Sequence, residues 1–275
     1  MDRRLTPYSG RVAHISLQGR VEAPLTPGEA AAISAPVADL LTRPHGPRDR
    51  QLLYGDAVTV IDRDQGQAFV MAAKDGFCGW VADAALGPAT TPTHRVASPA
   101  THLYSGPKAQ APERHPLYLN SRVTVTGQDG KWAITPQGFI PASHLSPIGT
   151  PAADPVAVAE MLLHTPYLWG GNTVAGIDCS GLAQAALLAA GIPCPGDSDL
   201  QQTVGAAIPD TAPLQRGDLV FWKGHVALLT APDRIIHANG KTMSVAYEGL
   251  TEAITRIDSQ GEGPVIARRR PQKPD

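Results

Sequence analysis

One cysteine of this chain stands where a reactive thiol is expected. Cys179 follows the glycine-rich stretch Tyr-Leu-Trp-Gly-Gly that begins at Tyr167, and it opens an apolar stretch with helical spacing. The first turn of a helix offers unpaired N–H groups and about half a positive charge, which stabilise a thiolate and an oxyanion beside it. Asp178 has a side chain suited to cap that helix. The alternative is a buried cysteine that acts only as a small apolar residue.

A nucleophilic thiol needs a base, and the base needs a third group that fixes its tautomer. His225 and His237 are the candidates, because each stands in an apolar, β-prone run and residues 231–233 form a short loop between the runs. If Thr230 opposes Arg234 across this loop, the two histidines become diagonal neighbours on one face of a hairpin. The sequence therefore predicts two imidazoles in contact, provided that no bulge shifts the register.

Zinc binding is a competing use of Cys179, Cys194, His225 and His237. Structural zinc sites usually bring two ligands close in sequence, as Cys-x-x-Cys does, and no two of these residues are that close. We therefore expect no metal and no cofactor. The chain has three widely spaced cysteines, Cys78, Cys179 and Cys194. An odd number of distant cysteines indicates reduced thiols rather than a disulfide framework.

Charge and hydropathy exclude two classes of partner. The net charge is −2, and the basic run 268–270 leaves no broad phosphate-binding surface, so nucleic acid is not an expected partner. The first residues lack the apolar core of a secretory signal, and no apolar run approaches the roughly 20 residues of a membrane helix. We expect a soluble, cytoplasmic protein with no membrane partner.

Glycine and proline divide the chain into four segments. Residues 1–35 are expected to form an arm. Two sets of short β-prone runs follow, 36–90 and 91–148, and they end alike, in Gly-Trp-Val-Ala-Asp-Ala and Gly-Phe-Ile-Pro-Ala-Ser, which predicts two copies of one small barrel. In residues 151–275 helical patterns precede strands, so this segment is expected to be an α+β domain.

The last segment resembles the NlpC-type papain-like cysteine peptidases of bacterial cell walls. The motifs that carry the resemblance over residues 151–270 are Tyr167-x-Trp-Gly-Gly, Asp178-Cys-Ser-Gly, Gly217-Asp-Leu-Val-Phe-Trp and Gly224-His-Val-Ala. The resemblance implies a papain-like fold in which Cys179 is the nucleophile, His225 the general base and His237 the residue that orients it. It also implies that Tyr167 lines the site near the oxyanion.

A second resemblance narrows the substrate. Residues 196–201, Gly-Asp-Ser-Asp-Leu-Gln, resemble the branch of that family that recycles cell-wall peptides, sometimes called dipeptidyl-peptidase VI. It implies that Asp197 and Ser198 bind the free amino terminus of L-alanine and that an aromatic residue of the first barrel, here Tyr54, closes the alanine pocket. The implied substrate is a murein tripeptide or tetrapeptide, cleaved between D-glutamate and the diamino acid. This chain has Gly196 where the branch often has a basic residue.

Other interpretations stay open beside this one. Residues 36–148 resemble paired bacterial SH3-like domains, so the chain could be a peptide- or wall-binding adaptor with an inactive peptidase-like domain. A thiol acyltransferase would use the same cysteine. Residues 196–199 also suit a turn with a helix cap, and Tyr54 and Trp169 also suit packing.

Overall fold

The computed structural model describes residues 1–273, which divide into two compact units. The first unit is residues 1–150, and the second begins at Pro151. The boundary lies in the Pro- and Gly-rich stretch 146–155 that separates the second β-rich set from the helical pattern in the sequence. None of the helices within residues 1–273 has the length and apolar character needed to cross a bilayer.

The first 90 residues are mostly sheet. The strands are β1 (Ala13–His14), β2 (Leu25–Thr26), β3 (Glu29–Ile33), β4 (Val37–Leu41), β5 (Arg48–Leu53), β6 (Ala57–Asp64), β7 (Gln67–Ala72), β8 (Cys78–Ala82) and β9 (Leu86–Pro88), with 3₁₀ helices at Arg3–Leu5, Ile15–Leu17 and Asp83–Ala85. β1 pairs with β2, and the other strands form one antiparallel sheet in the order β5-β4-β8-β7-β6-β3-β9. The expected arm is therefore shorter than residues 1–35, because β3 pairs with β6 and β9 inside this sheet.

This seven-stranded sheet curls around its own core. Side chains alternate across a strand, and the inward set includes Ile33, Leu40 and Val58, all buried. Bulges between Leu40 and Leu41 and between Val60 and Asp62 increase the local twist, which lets a short sheet curl. The result is the small barrel that the sequence predicts for this segment.

Residues 91–150 contain a second set of strands. They are β10 (His94–Val96), β11 (Ala100–Tyr104), β12 (Glu113–Tyr118), β13 (Arg122–Val123), β14 (Gly127–Asp129), β15 (Trp132–Thr135), β16 (Gly138–Pro141) and β17 (Leu145–Pro147), with a 3₁₀ helix at Ala142–His144. The sheets run β12-β11-β16-β15-β14 and β13-β10-β17. β16, a 3₁₀ helix and β17 follow one another as β8, a 3₁₀ helix and β9 do, at the two places where the sequence repeats. The assignment of residues 91–148 to a second barrel stays a prediction.

The second unit combines helices with one main sheet. Its elements are α1 (Pro155–Glu160), β18 (Asn172–Thr173), β19 (Gly176–Ile177), α2 (Cys179–Ala189), α3 (Ser198–Gln201), β20 (Ala206–Ala207), β21 (Leu219–Trp222), β22 (His225–Ala231), β23 (Arg234–Asn239), β24 (Ser244–Gly249), α4 (Leu250–Ser259) and β25 (Ala267–Arg270). The main sheet is antiparallel, in the order β20-β25-β21-β22-β23-β24. Helices α1 and α2 precede it in the chain, as predicted for an α+β domain.

Helices cover the main sheet because both of its faces are apolar. Ala253 and Ile257 of α4 pack on one face, against residues such as Ala227 and Ile235. Leu228 points to the opposite face of β22 and is fully buried, and α2 contacts β22 and β23. Nearly all of α2 is buried, which explains why its sequence is apolar on every side.

The hairpin of β22 and β23 has the predicted register but a different turn. Ala231 pairs with Arg234, so the loop is two residues long, and Thr230 forms a bulge. Beyond the bulge Leu228 pairs with Ile236, which is the register that follows from the predicted pairing of Thr230 with Arg234. The loop is therefore one residue shorter than predicted, and the bulge at Thr230 compensates for this change. As a result, His225 and His237 stay on the same face of the hairpin.

Candidate active site

Asp178 fixes the start of the helix that carries Cys179. Cys179 is the first residue of α2, and Asp178 is its N-cap. The Asp178 carboxylate accepts hydrogen bonds from the Gly181 N–H (2.6 Å), the Ser180 hydroxyl (2.9 Å) and the Gly170 N–H (2.8 Å). The predicted cap is confirmed, and the same side chain ties the glycine-rich approach to the helix.

Two glycines allow the approach and the helix to meet. A Cβ on Gly181 would lie 2.4 Å from the Gly171 carbonyl oxygen, and a Cβ on Gly171 would lie 2.4 Å from the Gly176 carbonyl oxygen. Gly170 also has a positive φ of 70°. These distances leave no space for a side chain. Glycine is therefore required at positions 171 and 181, where the backbones of the approach and of the helix lie close together.

Replacing Asp178 with alanine should destabilise the protein. It removes an N-cap and leaves buried N–H groups unpaired, so we expect the free energy of unfolding to fall by about 2 kcal/mol. Urea unfolding followed by circular dichroism measures this. Asp258→Ala, at an exposed position of α4, is the control and should change stability by less than about 0.5 kcal/mol; equal losses in the two variants would show that the capping contacts contribute nothing.

The surroundings of the Cys179 thiol favour its protonated form. Cys179 is 7% exposed, and its Sγ lies 3.9 Å from the Gly224 carbonyl oxygen. Burial raises the pKa of Cys179 to about 12, the Asp178 charge adds to this, and the N–H groups of Val226, Ser180 and Cys179 itself partly oppose it. The thiol therefore needs a base that takes its proton as it attacks.

The side chains of His225 and His237 are in contact, as the pairing register of β22 with β23 predicts. His225 Nε2 and His237 Nδ1 are 2.9 Å apart, with ring centroids 5.1 Å apart. The Sγ of Cys179 is close to the carbonyl of Gly224 and the N–H of Val226, the two neighbours of His225. Burial lowers the pKa of His225 to about 3 and that of His237 to about 4, so both rings are neutral near pH 7.

These depressed values predict acid sensitivity. His237 has its pKa lowered from 6.5 to about 4, mainly by burial, so the unfolded chain binds a proton more readily below pH 6.5. Its contribution to stability is therefore present above pH 6.5 and is lost as the pH falls towards 4. Between pH 7.5 and pH 5 this amounts to about 2 kcal/mol.

Unfolding free energies measured at several pH values test this expectation. His237→Gln should show a pH dependence smaller by that amount, whereas His102→Gln, at an exposed position, should keep the dependence of the unaltered protein. An unchanged slope in His237→Gln would mean that another group causes the acid sensitivity.

Sequence reasoning missed the carboxylate behind His237. Glu248 Oε2 lies 3.1 Å from His237 Nε2, and Glu248 is also paired with Arg256 (2.7 Å) and Lys241 (3.0 Å). Arg256 is the main reason that the pKa of Glu248 is lowered to about 2, so the carboxylate is charged. The sequence feature that could have identified Glu248 is the alternation of strand β24. This alternation places Glu248 on the same face of the sheet as the histidines, once the pairing of β23 with β24 is known.

Two aromatic residues of the approach have different environments. Tyr167 is half-buried, its N–H donates to the Met243 carbonyl (2.8 Å), and burial is the main cause that raises the pKa of its phenol above the ordinary value, with a smaller contribution from the Cys179 side chain. It therefore lies near the thiol. Trp169 is 68% exposed, so the packing interpretation of this side chain is wrong.

The Asp-Ser pair lies next to the start of α2. Ser198 is buried and Asp197 is half-buried, and Gln201 of the same short helix donates from Nε2 to the Ser180 carbonyl (2.9 Å), one residue after Cys179. Asp197 occupies the N-cap position of α3, but within the described residues its side chain makes no capping hydrogen bond. The helix-cap interpretation of Asp197 is therefore not supported.

Tyr54 belongs to the first unit and packs within it. Its ring lies 5.3 Å from that of His115, its carbonyl accepts from the Arg122 N–H (2.8 Å), and it contacts the buried cluster around Leu117. The packing interpretation of Tyr54 is therefore correct. Its proposed part in the alanine pocket stays a prediction.

The remaining features are a cavity, two further cysteines and the arrangement of the possible metal ligands. A cavity of about 390 Å³ borders His225 and is lined also by Asn239, Gly240, Lys241, Arg256, Ile257, Gln260 and Glu262. Cys78 and Cys194 are buried, and neither forms a disulfide within the described residues. Within residues 1–273 no group of three or more His, Cys, Asp or Glu side chains is arranged to hold a metal ion.

Comparisons with known proteins identify similar domains and relatives. Residues 164–258 match the NlpC/P60 family, and residues 40–86 match the bacterial dipeptidyl-peptidase SH3 domain. A gamma-D-glutamyl-L-lysine dipeptidyl-peptidase of Bacillus cereus is 29% identical over 231 residues, 72% of this chain and 69% of the relative. A protein of the same name from Bacillus subtilis is 28% identical over 74% of this chain and 76% of the relative.

A solved structure shares the fold. The crystal structure of an NlpC/P60 family protein from Bacillus cereus matches with a TM-score of 0.73 at 23% identity, over 88% of this chain and 99% of that one. At this identity the match shows the fold: an NlpC/P60 papain-like domain with an N-terminal SH3-like domain.

Proposed function

This chain carries an NlpC/P60 domain behind a bacterial SH3 domain, and on that premise we propose that it is a cysteine endopeptidase acting on free murein peptides. The bond it hydrolyses joins the side-chain carbonyl of D-glutamate to a diamino acid, in peptides that begin with a free L-alanine. The observation that carries the proposal is the buried Cys179 at the start of α2, in contact with the backbone on both sides of His225, which is itself hydrogen-bonded to His237.

The first half of the reaction forms a thioester. Cys179 Sγ attacks the γ-carbonyl of D-glutamate while His225 takes the thiol proton, so no free thiolate is needed in the resting protein. The N–H groups at the start of α2 stabilise the oxyanion. The protonated His225 then gives its proton to the leaving amine of the diamino acid as the C–N bond breaks.

The second half restores the enzyme. Water attacks the thioester while His225 accepts one of its protons, and the C–S bond breaks with return of that proton to Cys179. The products are L-Ala-γ-D-Glu and the diamino acid or the peptide that begins with it. His237 keeps the His225 ring oriented through both halves.

Substrate selection rests on a carboxylate beside the nucleophile. Asp197 is the N-cap residue of α3, and α3 is tied to the start of α2 by the hydrogen bond from Gln201 to the Ser180 carbonyl. A carboxylate that pairs with the ammonium of L-alanine excludes murein peptides whose alanine is still acylated. Ser198 is the further contact that we propose for the alanine. The relatives named gamma-D-glutamyl-L-lysine dipeptidyl-peptidase support this substrate class.

Product analysis tests the function. Incubation with L-Ala-γ-D-Glu-L-Lys, or with the diaminopimelate tripeptide, should release L-Ala-γ-D-Glu, identified by mass spectrometry. An acyltransferase would instead form a new amide when a second amine is present, and an adaptor would bind the tripeptide without releasing a product. Either result would overturn the hydrolase assignment.

A further inference from the structure

We propose that Glu248 is a positioning residue that fixes the protons of the His225–His237 pair, leaving as the base the ring nitrogen of His225 that faces Cys179. The proposal rests on the proposed hydrolase and adds a fourth residue to its catalytic set. Four observations carry it: the register of β24, the contact with His237, the cations around the carboxylate and the position of the thiol.

The register places Glu248 on the histidine face of the sheet. Ala246 of β24 pairs with His237 of β23. Side chains alternate along a strand, so Glu248, two residues after Ala246, is a diagonal neighbour of His237 on the same face. Glu248 Oε2 lies 3.1 Å from His237 Nε2, and the two side chains are 8% and 0% exposed. The contact is bent, because within the described residues Nε2 makes no well-aligned hydrogen bond, so it acts mainly through charge.

Two cations hold the carboxylate in its charged form. Arg256 of α4 donates from Nε to Oε1 (2.9 Å) and from Nη2 to Oε2 (2.7 Å), and Lys241 donates from Nζ to Oε1 (3.0 Å). Two parallel bonds from a guanidinium fix the plane of a carboxylate as well as its charge. Glu248 is therefore an oriented anion in a buried position.

An oriented anion determines where each imidazole proton lies. A lone pair on His237 Nε2 would face an anionic oxygen at 3.1 Å, so this nitrogen carries the proton. The Nδ1 of neutral His237 is then an acceptor, and His225 Nε2, 2.9 Å away, must be the donor to it. One nitrogen is left without a proton, His225 Nδ1.

That nitrogen lies on the side of the thiol. Nδ1 is the ring nitrogen closer to a histidine's own main chain, and Cys179 Sγ lies against the Gly224 carbonyl and near the Val226 N–H, on either side of His225. The chain of contacts from Arg256 through Glu248 and the two rings thus prepares the base before substrate binds.

Glu248→Gln should reverse the arrangement. Arg256 and Lys241 both need an acceptor, so they keep the amide oxygen and turn the NH₂ group towards His237 Nε2. That nitrogen then becomes the acceptor, His237 Nδ1 donates to His225 Nε2, and His225 carries its proton on Nδ1, where it cannot accept one from the thiol. We expect kcat/KM for the tripeptide to fall about 100-fold, since partners of this kind are worth 10- to 100-fold.

Nitrogen-15 NMR of the histidine rings supplies a readout that a structural role would not move. Spectra of the unaltered protein should show His225 and His237 both protonated on Nε2, with assignments from the His225→Gln and His237→Gln variants. In Glu248→Gln both rings should change to the Nδ1-protonated form while the unfolding temperature changes little. Glu252→Gln makes the same charge change at an exposed position of α4 and should leave both tautomers and kcat/KM unchanged.

Each outcome decides the matter. Unchanged tautomers in Glu248→Gln overturn the proposal, whether or not activity falls, because a loss without a tautomer change indicates a merely structural residue. Changed tautomers with kcat/KM within about twofold of the unaltered protein would show that the proton arrangement does not serve catalysis. If the unaltered protein cleaves no tripeptide, the proposed function fails, and the ring spectra still test the contact of Glu248 with the pair.

Discussion

Cys179→Ala should abolish release of L-Ala-γ-D-Glu from the tripeptide, with a loss in kcat of at least about 10⁴-fold, because nucleophile, base and orienting residue act as one unit. The fold should persist, since the change removes one sulfur atom at a helix start whose cap is Asp178. Product formation followed by mass spectrometry, together with circular dichroism of the variant, checks both statements.

The other two cysteines provide matched controls. Within residues 1–273, Cys78 and Cys194 are buried cysteines outside any disulfide, as Cys179 is. Cys78→Ala and Cys194→Ala remove the same atom from similar surroundings, so they should retain activity within a few-fold. Turnover that survives Cys179→Ala and is instead lost with EDTA and restored by zinc would assign the reaction to a metal.

Acetylation of the alanine amine should give the second large effect. It removes the charge that Asp197 is proposed to bind, and a charge-assisted contact is worth about 1.5–3 kcal/mol, so kcat/KM should fall about 10- to 100-fold. Asp197→Asn should cause a similar loss with the free tripeptide. The two changes together should cost little more than either alone, because both break one contact.

Asp199 offers a control for the Asp197→Asn variant. Asp199 is exposed and lies two residues after Asp197, so Asp199→Asn removes an equal charge without touching the proposed contact and should leave the preference for the free amine intact. Equal kcat/KM values for the free and acetylated tripeptides in the unaltered protein would rule out recognition of the amine.

Features that depend on local chemistry could be predicted from the sequence. The cap at Asp178 followed from its side chain and its place before an apolar helix, and the contact of His225 with His237 followed from the period of two in a hairpin. Even the bulge at Thr230 left that contact in place, because Leu228 and Ile236 regain the predicted pairing.

Features that depend on residues distant in the sequence could not be predicted from it. Glu248 is informative only once β24 is known to lie next to β23, and α4, which supplies Arg256, was not predicted. Strand β3 was assigned to an arm because its partners β6 and β9 are far away in sequence. The exposure of Trp169 depends on the path of the glycine-rich approach, which glycines leave free to vary.

One labelling experiment tests the central claim most directly, namely that Cys179 attacks the carbonyl of a bound L-Ala-γ-D-Glu unit. A chloromethyl ketone built on L-Ala-γ-D-Glu places an electrophilic carbon where the γ-carbonyl would lie, and peptide mapping by mass spectrometry locates the alkylated residue among the three cysteines. We predict alkylation of Cys179, slowed by tripeptide and much slower with an N-acetylated reagent. Labelling of Cys78 or Cys194 at a comparable rate, or rapid loss of activity with Cys179 unmodified, would contradict the account.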